Sequence, residues 1–123
     1  SETKMIATCS GDIKYRSCCS IARSLDLLGD KWTLLILRDA LFFNIKTFAG
    51  FSVQPEKIPT NLLAARLKRL VEMGLLTREP YQLRPMRYEY LSTDDARALI
   101  PLLRAAALYG ETYLEGQIMD PEI

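Results

Sequence analysis

Between Ile58 and Leu76 the chain reads IPTNLLAARLKRLVEMGLL, and its apolar residues return at helical spacing. Leu63, Leu67, Leu70 and Met73, with Leu62 and Val71 alongside, make one stripe that faces a core. The other side offers Thr60, Asn61, Ala64, Ala65, Lys68 and Arg69, and carries no carboxylate before Glu72. The spacing predicts a helix of about fifteen residues, roughly 22 Å long, stopped by Gly74 in a left-handed C′ position. Alternation then takes over. Leu75 to Tyr81 and Arg87 to Ser92 have strand character, separated by Gln82-Leu83-Arg84-Pro85-Met86. A helix with one outward polar face, followed by a hairpin, predicts a recognition helix feeding a β-wing. By itself the stripe also fits any amphipathic surface helix.

Upstream, Cys18-Cys19-Ser20 opens a first helix whose apolar positions Ile21, Ala22, Leu25, Leu27 and Leu28 lead to Gly29, a natural stop. Asp30 sits where an N-cap belongs, and Lys31 to Phe42 reads as a second helix, apolar nearly all round and hence the buried centre. Trp32 reads as core, since a large aromatic beside a Leu/Ile run supplies packing area. Lys46 to Phe51 can hold a very short strand and a brief third helix, weakened by Gly50 and Pro55. Downstream, Ser92 or Thr93 caps a last helix that begins Asp94-Asp95 and runs to about Ile118, with a kink or tightened turn at Pro101. Its apolar residues cover more than one face, and the surplus wants a partner. Helix, helix, short helix, recognition helix, wing, terminal helix is the order of a winged helix-turn-helix domain: mainly α with a small β-wing. Residues 1–14 read as a flexible N-terminal tail and 15–118 as the domain, with a C-terminal dimerisation helix over about 93–118.

Composition narrows the function. A chain of 123 residues, 49% hydrophobic and 25% charged, suits one globular domain with a core that needs no disulfide staples. The net charge of +1 conceals a division: +1 over residues 1–56, +5 over 57–87 and −5 over 88–123. The middle third therefore suits a polyanion and the last third another task. Histidine is absent, which removes the usual general base and the commonest transition-metal ligand. Three cysteines, two of them adjacent, fit no structural zinc pattern, and GxGxxG, GxxxxGK[ST] and GxSxG are missing. No enzyme, cofactor or metal site is expected. The apolar stretch from Trp32 to Phe43 is broken by Arg38 and Asp39, and the opening SETKMIATCSGDIKYR lacks an apolar signal core, so a cytoplasmic protein with no membrane partner is expected. An odd cysteine count agrees with a reducing compartment.

DNA affinity in such a domain comes from Lys and Arg on phosphates, while base edges decide sequence. Lys57, Lys68, Arg69, Arg84 and Arg87 are assigned to phosphate or minor-groove contact, with Lys46 a further candidate. Asn61 can pair bidentately with adenine, Thr60 can bond a base or phosphate, and Ala64 or Ala65 can rest on a thymine methyl. Arg66, beside Leu63 and Leu67, either joins these or pairs with an acidic group inside the domain.

The run Cys19-Ser20-Ile21-Ala22-Arg23-Ser24-Leu25-Asp26-Leu27-Leu28-Gly29-Asp30-Lys31-Trp32-Thr33-Leu34-Leu35-Ile36-Leu37-Arg38 resembles the N-terminal signature of the HxlR-type transcriptional regulators, relatives of the MarR group. Leu63 with Arg66-Leu67-Lys68-Arg69-Leu70 and Met73-Gly74-Leu75 resembles that family's recognition segment, and Tyr88-Glu89-Tyr90 with Thr93 its wing-to-helix junction. The resemblance spans about residues 15–114. It implies a homodimer joined through the first and last helices, binding double-stranded DNA at a near-palindromic operator, one recognition helix per half-site. It also implies that Cys19 stands where many members keep a cysteine that senses electrophiles or oxidants. The chain departs from the family in Ser20, where proline is usual, in the additional Cys18, in Pro59 at the recognition-helix cap, and in Ala64-Ala65 for the usual Ser/Thr-Gln. A thiol at a helix N-terminus can be reactive, and a buried one can be inert packing at the dimer seam; both readings stay open. Cys18 and Cys19 would form a strained bridge with each other, so oxidation is expected to link subunits or engage Cys9. The leading expectation is a dimeric repressor responsive to thiol-reactive or oxidising signals. A regulator gated by a small-molecule effector, and a winged-helix protein-interaction module without DNA binding, are the alternatives.

Overall fold

A computed structural model describes residues 15–117, and the expected N-terminal tail lies outside them. Six helices and a two-stranded sheet follow in the order α1 (Ser20–Leu28), α2 (Thr33–Phe42), α3 (Phe48–Ser52), α4 (Thr60–Glu72), β1 (Leu76–Leu83), β2 (Met86–Ser92), α5 (Asp94–Arg97) and α6 (Ile100–Tyr113). The architecture is the expected winged helix: mainly α, with one antiparallel hairpin.

The core is built from Ile36, Leu37 and Ala40 of α2, Phe51 of α3, Leu63, Leu67 and Leu70 of α4, and Ile58, Leu75, Leu76, Ala96 and Leu103 around them. Leu63, Leu67 and Leu70 follow the i, i+4, i+7 stripe and are buried, each leucine contributing roughly 2 kcal/mol by leaving water. Trp32 is half-buried against this cluster, with the Lys31 ammonium 4.9 Å above its ring. Asp30, anticipated as the cap, stands two residues before the N-cap position, which Trp32 occupies. Its carboxylate accepts the N–H groups of Trp32 and Thr33 at 3.1 Å each and the Thr33 hydroxyl, so Lys31-Trp32 form a turn and α2 starts at Thr33.

The end of α4 is closed as the sequence predicts. Gly74 has φ +78, and the N–H groups of Gly74 and Leu75 return to the carbonyls of Val71 (3.0 Å) and Leu70 (2.9 Å). That paired closure needs a left-handed residue, which a side chain disfavours. It turns the chain directly into β1.

The wing pairs Leu76 with Ser92 at its base and Leu83 with Met86 at its tip. The strands thus extend past the expected limits at Tyr81 and Arg87, leaving only Arg84-Pro85 between them. No strand forms over Lys46 to Phe51. A single bond, Tyr90 N–H to the Lys46 carbonyl at 2.7 Å, is made there before Thr47 turns the chain into α3 by accepting the Gly50 N–H at 3.1 Å. Tyr90 also meets Phe51 edge-on at 6.5 Å, so the base of the wing is fastened to the core.

The single last helix expected from Asp94 to Ile118 is instead two. Thr93 caps α5, accepting the Ala96 N–H at 3.2 Å while its hydroxyl donates to the Gly74 carbonyl at 2.7 Å. Pro101 lies in the first turn of α6, where its missing N–H and fixed φ suit a helix start, and the tightened turn expected near it is made just before, at Ala98-Leu99, where the Leu99 N–H donates to the Ala96 carbonyl at 2.9 Å. Helix α6 ends at Tyr113, followed by Leu114 as cap and Glu115 at φ +56.

Candidate nucleic-acid interface

Burial of Leu63, Leu67 and Leu70 leaves Thr60, Asn61, Ala64, Ala65 and Lys68 exposed along the opposite side of α4. The i, i+1, i+4, i+5, i+8 spacing places them on one face. Pro59 offers no side-chain cap and the first turn holds no acidic residue, so the positive end of the helix is left for an external anion. Lys57, exposed and in a left-handed backbone conformation at φ +57, stands immediately before that end. A short polar centre with small alanines beside it, and cations at both margins, can approach a major groove closely.

Arg66 and Arg69 turn the other way. Arg66 Nε donates to Asp30 Oδ2 at 2.8 Å, the internal one of its two anticipated roles. Arg69, expected on phosphate, is half-buried: Nη2 donates to the Asp26 carbonyl at 3.1 Å and Nη1 lies 3.5 Å from Asp30 Oδ1. These contacts point its guanidinium toward the Asp26 carbonyl in α1 and the Asp30 carboxylate between α1 and α2. Burial alone would raise the Asp30 pKa. Hydrogen bonds from Thr33, Arg66 and the Trp32 N–H, with the Arg66 charge, outweigh it and hold the carboxyl at about 2. Asp26 is lowered too, first by the Arg16 backbone N–H at 3.0 Å, against its own desolvation, and further by the Arg16 side chain.

The sequence reading took Asp30 only for a cap. That it also anchors two arginines of α4 could be suspected from Arg66 and Arg69, three apart at the border of the apolar stripe, but the partner is 36 and 39 positions away.

On the wing, Arg84 and Arg87 are exposed. Arg78, absent from the sequence assignment, joins them with its guanidinium 4.2 Å above the Tyr88 ring. Lys46 is half-buried at the base of the wing. Glu79 and Glu89 face each other across the strands, so one wing face would repel phosphates.

Cys19 is the N-cap residue of α1, half-buried and free, and its N–H donates to Ser17 Oγ at 3.2 Å. Cys9 lies outside the described residues. Helices α1 and α6 expose Ile21, Leu25, Leu102, Leu108, Tyr109 and Tyr113. Among the described residues no group of three metal-ligating side chains gathers, and no helix is long and apolar enough to cross a membrane.

Against known proteins, the HxlR-like helix-turn-helix family profile matches residues 27–118. An HTH-type transcriptional regulator of Mycobacterium tuberculosis, MT3179, is 42% identical over 95 residues, covering 77% of this chain and 59% of its own length. The crystal structure of PA1607, named as a candidate transcription factor, superposes with a TM-score of 0.69 at 42% identity, over 77% of this chain and 65% of that one. The redox regulator HypR in its reduced form gives 0.68 at 26% identity, over 76% of this chain and 92% of its own. This chain thus spans less than two thirds of the mycobacterial relative and of PA1607. The winged architecture, the placement of α4 and the match over residues 27–118 agree: the chain belongs to the HxlR-like helix-turn-helix family.

Proposed function

We propose that this chain is a cytoplasmic, sequence-specific DNA-binding transcriptional regulator that represses as a homodimer on a near-palindromic operator. The observation that carries this reading is the outward face of α4. Thr60, Asn61, Ala64, Ala65 and Lys68 are exposed together on a helix whose other side is buried, with an uncapped N-terminus and Lys57 beside it. Lys57, Lys68, Arg84 and Arg87 neutralise phosphates or enter the minor groove, Asn61 reads adenine, Thr60 bonds a base or phosphate, and Ala64 and Ala65 pack on thymine methyls. Arg69 acts indirectly, by fixing the angle of α4 against α1. Dimerisation through α1 and α6 is supported by their exposed Ile21, Leu25, Leu108, Tyr109 and Tyr113.

Selection of bound sequences from random duplex DNA, with and without oxidant, tests the reading. The expected result is a two-fold-related consensus, and log K falling by about 0.9 for each phosphate neutralised as log salt rises. Asn61→Ala should then relax preference at one base position, costing about 1–3 kcal/mol there, while Lys68→Ala weakens all sequences alike. Failure to enrich any sequence would leave a protein-interaction module as the better account.

A second reading concerns the signal. Cys19 is free at the start of α1, and HypR, a redox regulator, is among the similar structures. Thiol chemistry at Cys19 would alter how α1 helices pair, and Arg69 would pass the change to α4. Unchanged operator affinity of Cys19→Ser and of the parent protein under oxidant would remove it and favour a small-molecule effector.

A further inference from the structure

The tip of the wing does not look like a simple cationic finger. Leu83 and Met86 are 69% and 50% exposed and stand directly opposite each other, one residue from the Arg84-Pro85 turn. A register shift between Pro80 and Gln82 produces this pairing. Below the shift Pro80 faces Tyr88 and Arg78 faces Tyr90; above it Gln82 faces Arg87 and Leu83 faces Met86. Strand side chains alternate, so without the additional residue Gln82 would meet Met86 and the apolar pair would be split between faces. With it, Leu83 and Met86 join the face that carries Tyr88 and Tyr90, with Pro80 and the Arg78 guanidinium packed over the tyrosines below the tip. Arg84 and Arg87 border the pair, and no carboxylate lies between Pro80 and Tyr88.

We propose that Leu83 and Met86 form an apolar wedge that opens the DNA minor groove beside the site read by α4, and so select for an easily kinked base step there. This rests on the DNA-binding reading above. Charge argues for DNA as the occupant, because the exposed pair is framed by arginines alone. Size argues for a wedge. Paired strands lie about 4.8 Å apart, so two side chains abreast are wider than the roughly 6 Å groove of B-DNA can admit unopened. Leucine and methionine have no polar atom to read the groove floor. Their burial against sugars and an unstacked step provides the driving force, and pyrimidine–purine steps unstack most readily. The wing has the reach: seven residue intervals from Leu76 to Leu83 span about 23 Å. The affected step should lie about half a helical turn, roughly 5 base pairs, from the bases contacted by α4.

The test uses the full chain on its selected duplex, with 2-aminopurine placed at successive flanking steps and curvature measured by circular-permutation gel shift. The parent protein should raise fluorescence at one flanking step, bend the duplex, and bind a TA step there about tenfold tighter than a GC step. Leu83→Ala with Met86→Ala should abolish the fluorescence rise, the bend and the TA preference, and leave the salt slope unchanged. Arg84→Ala should instead lower the salt slope by about 0.9 and keep the bend. A double variant that bends DNA and prefers TA as the parent does would overturn the wedge alone. A double variant with unchanged DNA binding but a changed oligomeric state in sedimentation would give the pair to a second copy of the chain, overturning it as well. If the parent protein bound no duplex in a salt-dependent manner, the regulator reading would fall and the wedge with it.

Discussion

Asp39 is buried in α2, and its Oδ1 accepts from Arg38 Nε at 2.9 Å and Nη2 at 2.7 Å, while the same guanidinium holds both oxygens of Glu56 at 2.9 Å. Burial raises its pKa to about 6 despite Arg38, and the charge of Glu56 adds to the rise. The folded state therefore binds the Asp39 proton more tightly than the unfolded state, whose value is near 3.8, so this contribution to stability falls as pH rises through about 6. Asp39→Asn, which cannot ionise, should remove that dependence, so its stability stays level between about pH 4 and 6 where the parent's falls. Urea unfolding at pH 4, 5 and 6 checks it. Asp30 behaves oppositely. Its pKa of about 2 means stability present above 3.8 and lost as pH falls through about 2. Asp30→Ala removes the acceptor of the Trp32 and Thr33 N–H groups and of two guanidinium groups, and should cost about 3 kcal/mol in urea unfolding. It should also weaken DNA binding although Asp30 does not face the outer side of α4, whereas Asp30→Asn, which retains an oxygen for those N–H groups, should fall between. The place of Asp30 before α2 was legible in sequence. The arginine partnership was not, since nothing local specifies which carboxylate a distant guanidinium meets.

Helix α4 carries its periodicity plainly: three buried leucines on one side, small and polar residues on the other, and a glycine stop. Its N-terminus is less plain, since Pro59 leaves the first turn without a side-chain acceptor. Pro59→Asp should stabilise the isolated domain by about 1 kcal/mol through capping and dipole effects. The same carboxylate would meet a phosphate, so DNA affinity should fall as melting temperature rises; calorimetry and fluorescence anisotropy measure the two. The tightened turn near Pro101 is legible in the sequence, while the full separation of α5 from α6 is not. A proline is equally compatible with kinking a helix or starting one, and only the folded chain shows α5 ending at Arg97 and α6 starting at Ile100. The wing was underestimated because Gln82 and Leu83 carry no strand pattern once a bulge shifts the alternation.

At the scale of the molecule, exposed apolar side chains gather on α1 and α6, at the two ends of the described chain, apart from those of the wing tip. Leu108→Glu on α6 should convert the proposed dimer to a monomer in sedimentation, with little change in the circular dichroism of the subunit, because Leu108 is 63% exposed. Operator affinity should fall steeply, while weak non-specific binding through Lys57, Lys68 and the wing persists. The cationic middle third survives folding only in part: Arg66 and Arg69 are spent on Asp30 and Asp26, and Lys57, Lys68, Arg78, Arg84 and Arg87 remain outward. Sequence alone determined the order of elements, the apolar stripe, the glycine stop and the family, because each depends on periodicity or on conformational limits of single residues. Tertiary structure decided which arginines face outward, how far the wing pairs, where α6 begins and which side chains meet at the wing tip. Those outcomes depend on partners far apart in the chain and on a one-residue shift in strand register, neither of which a local pattern encodes.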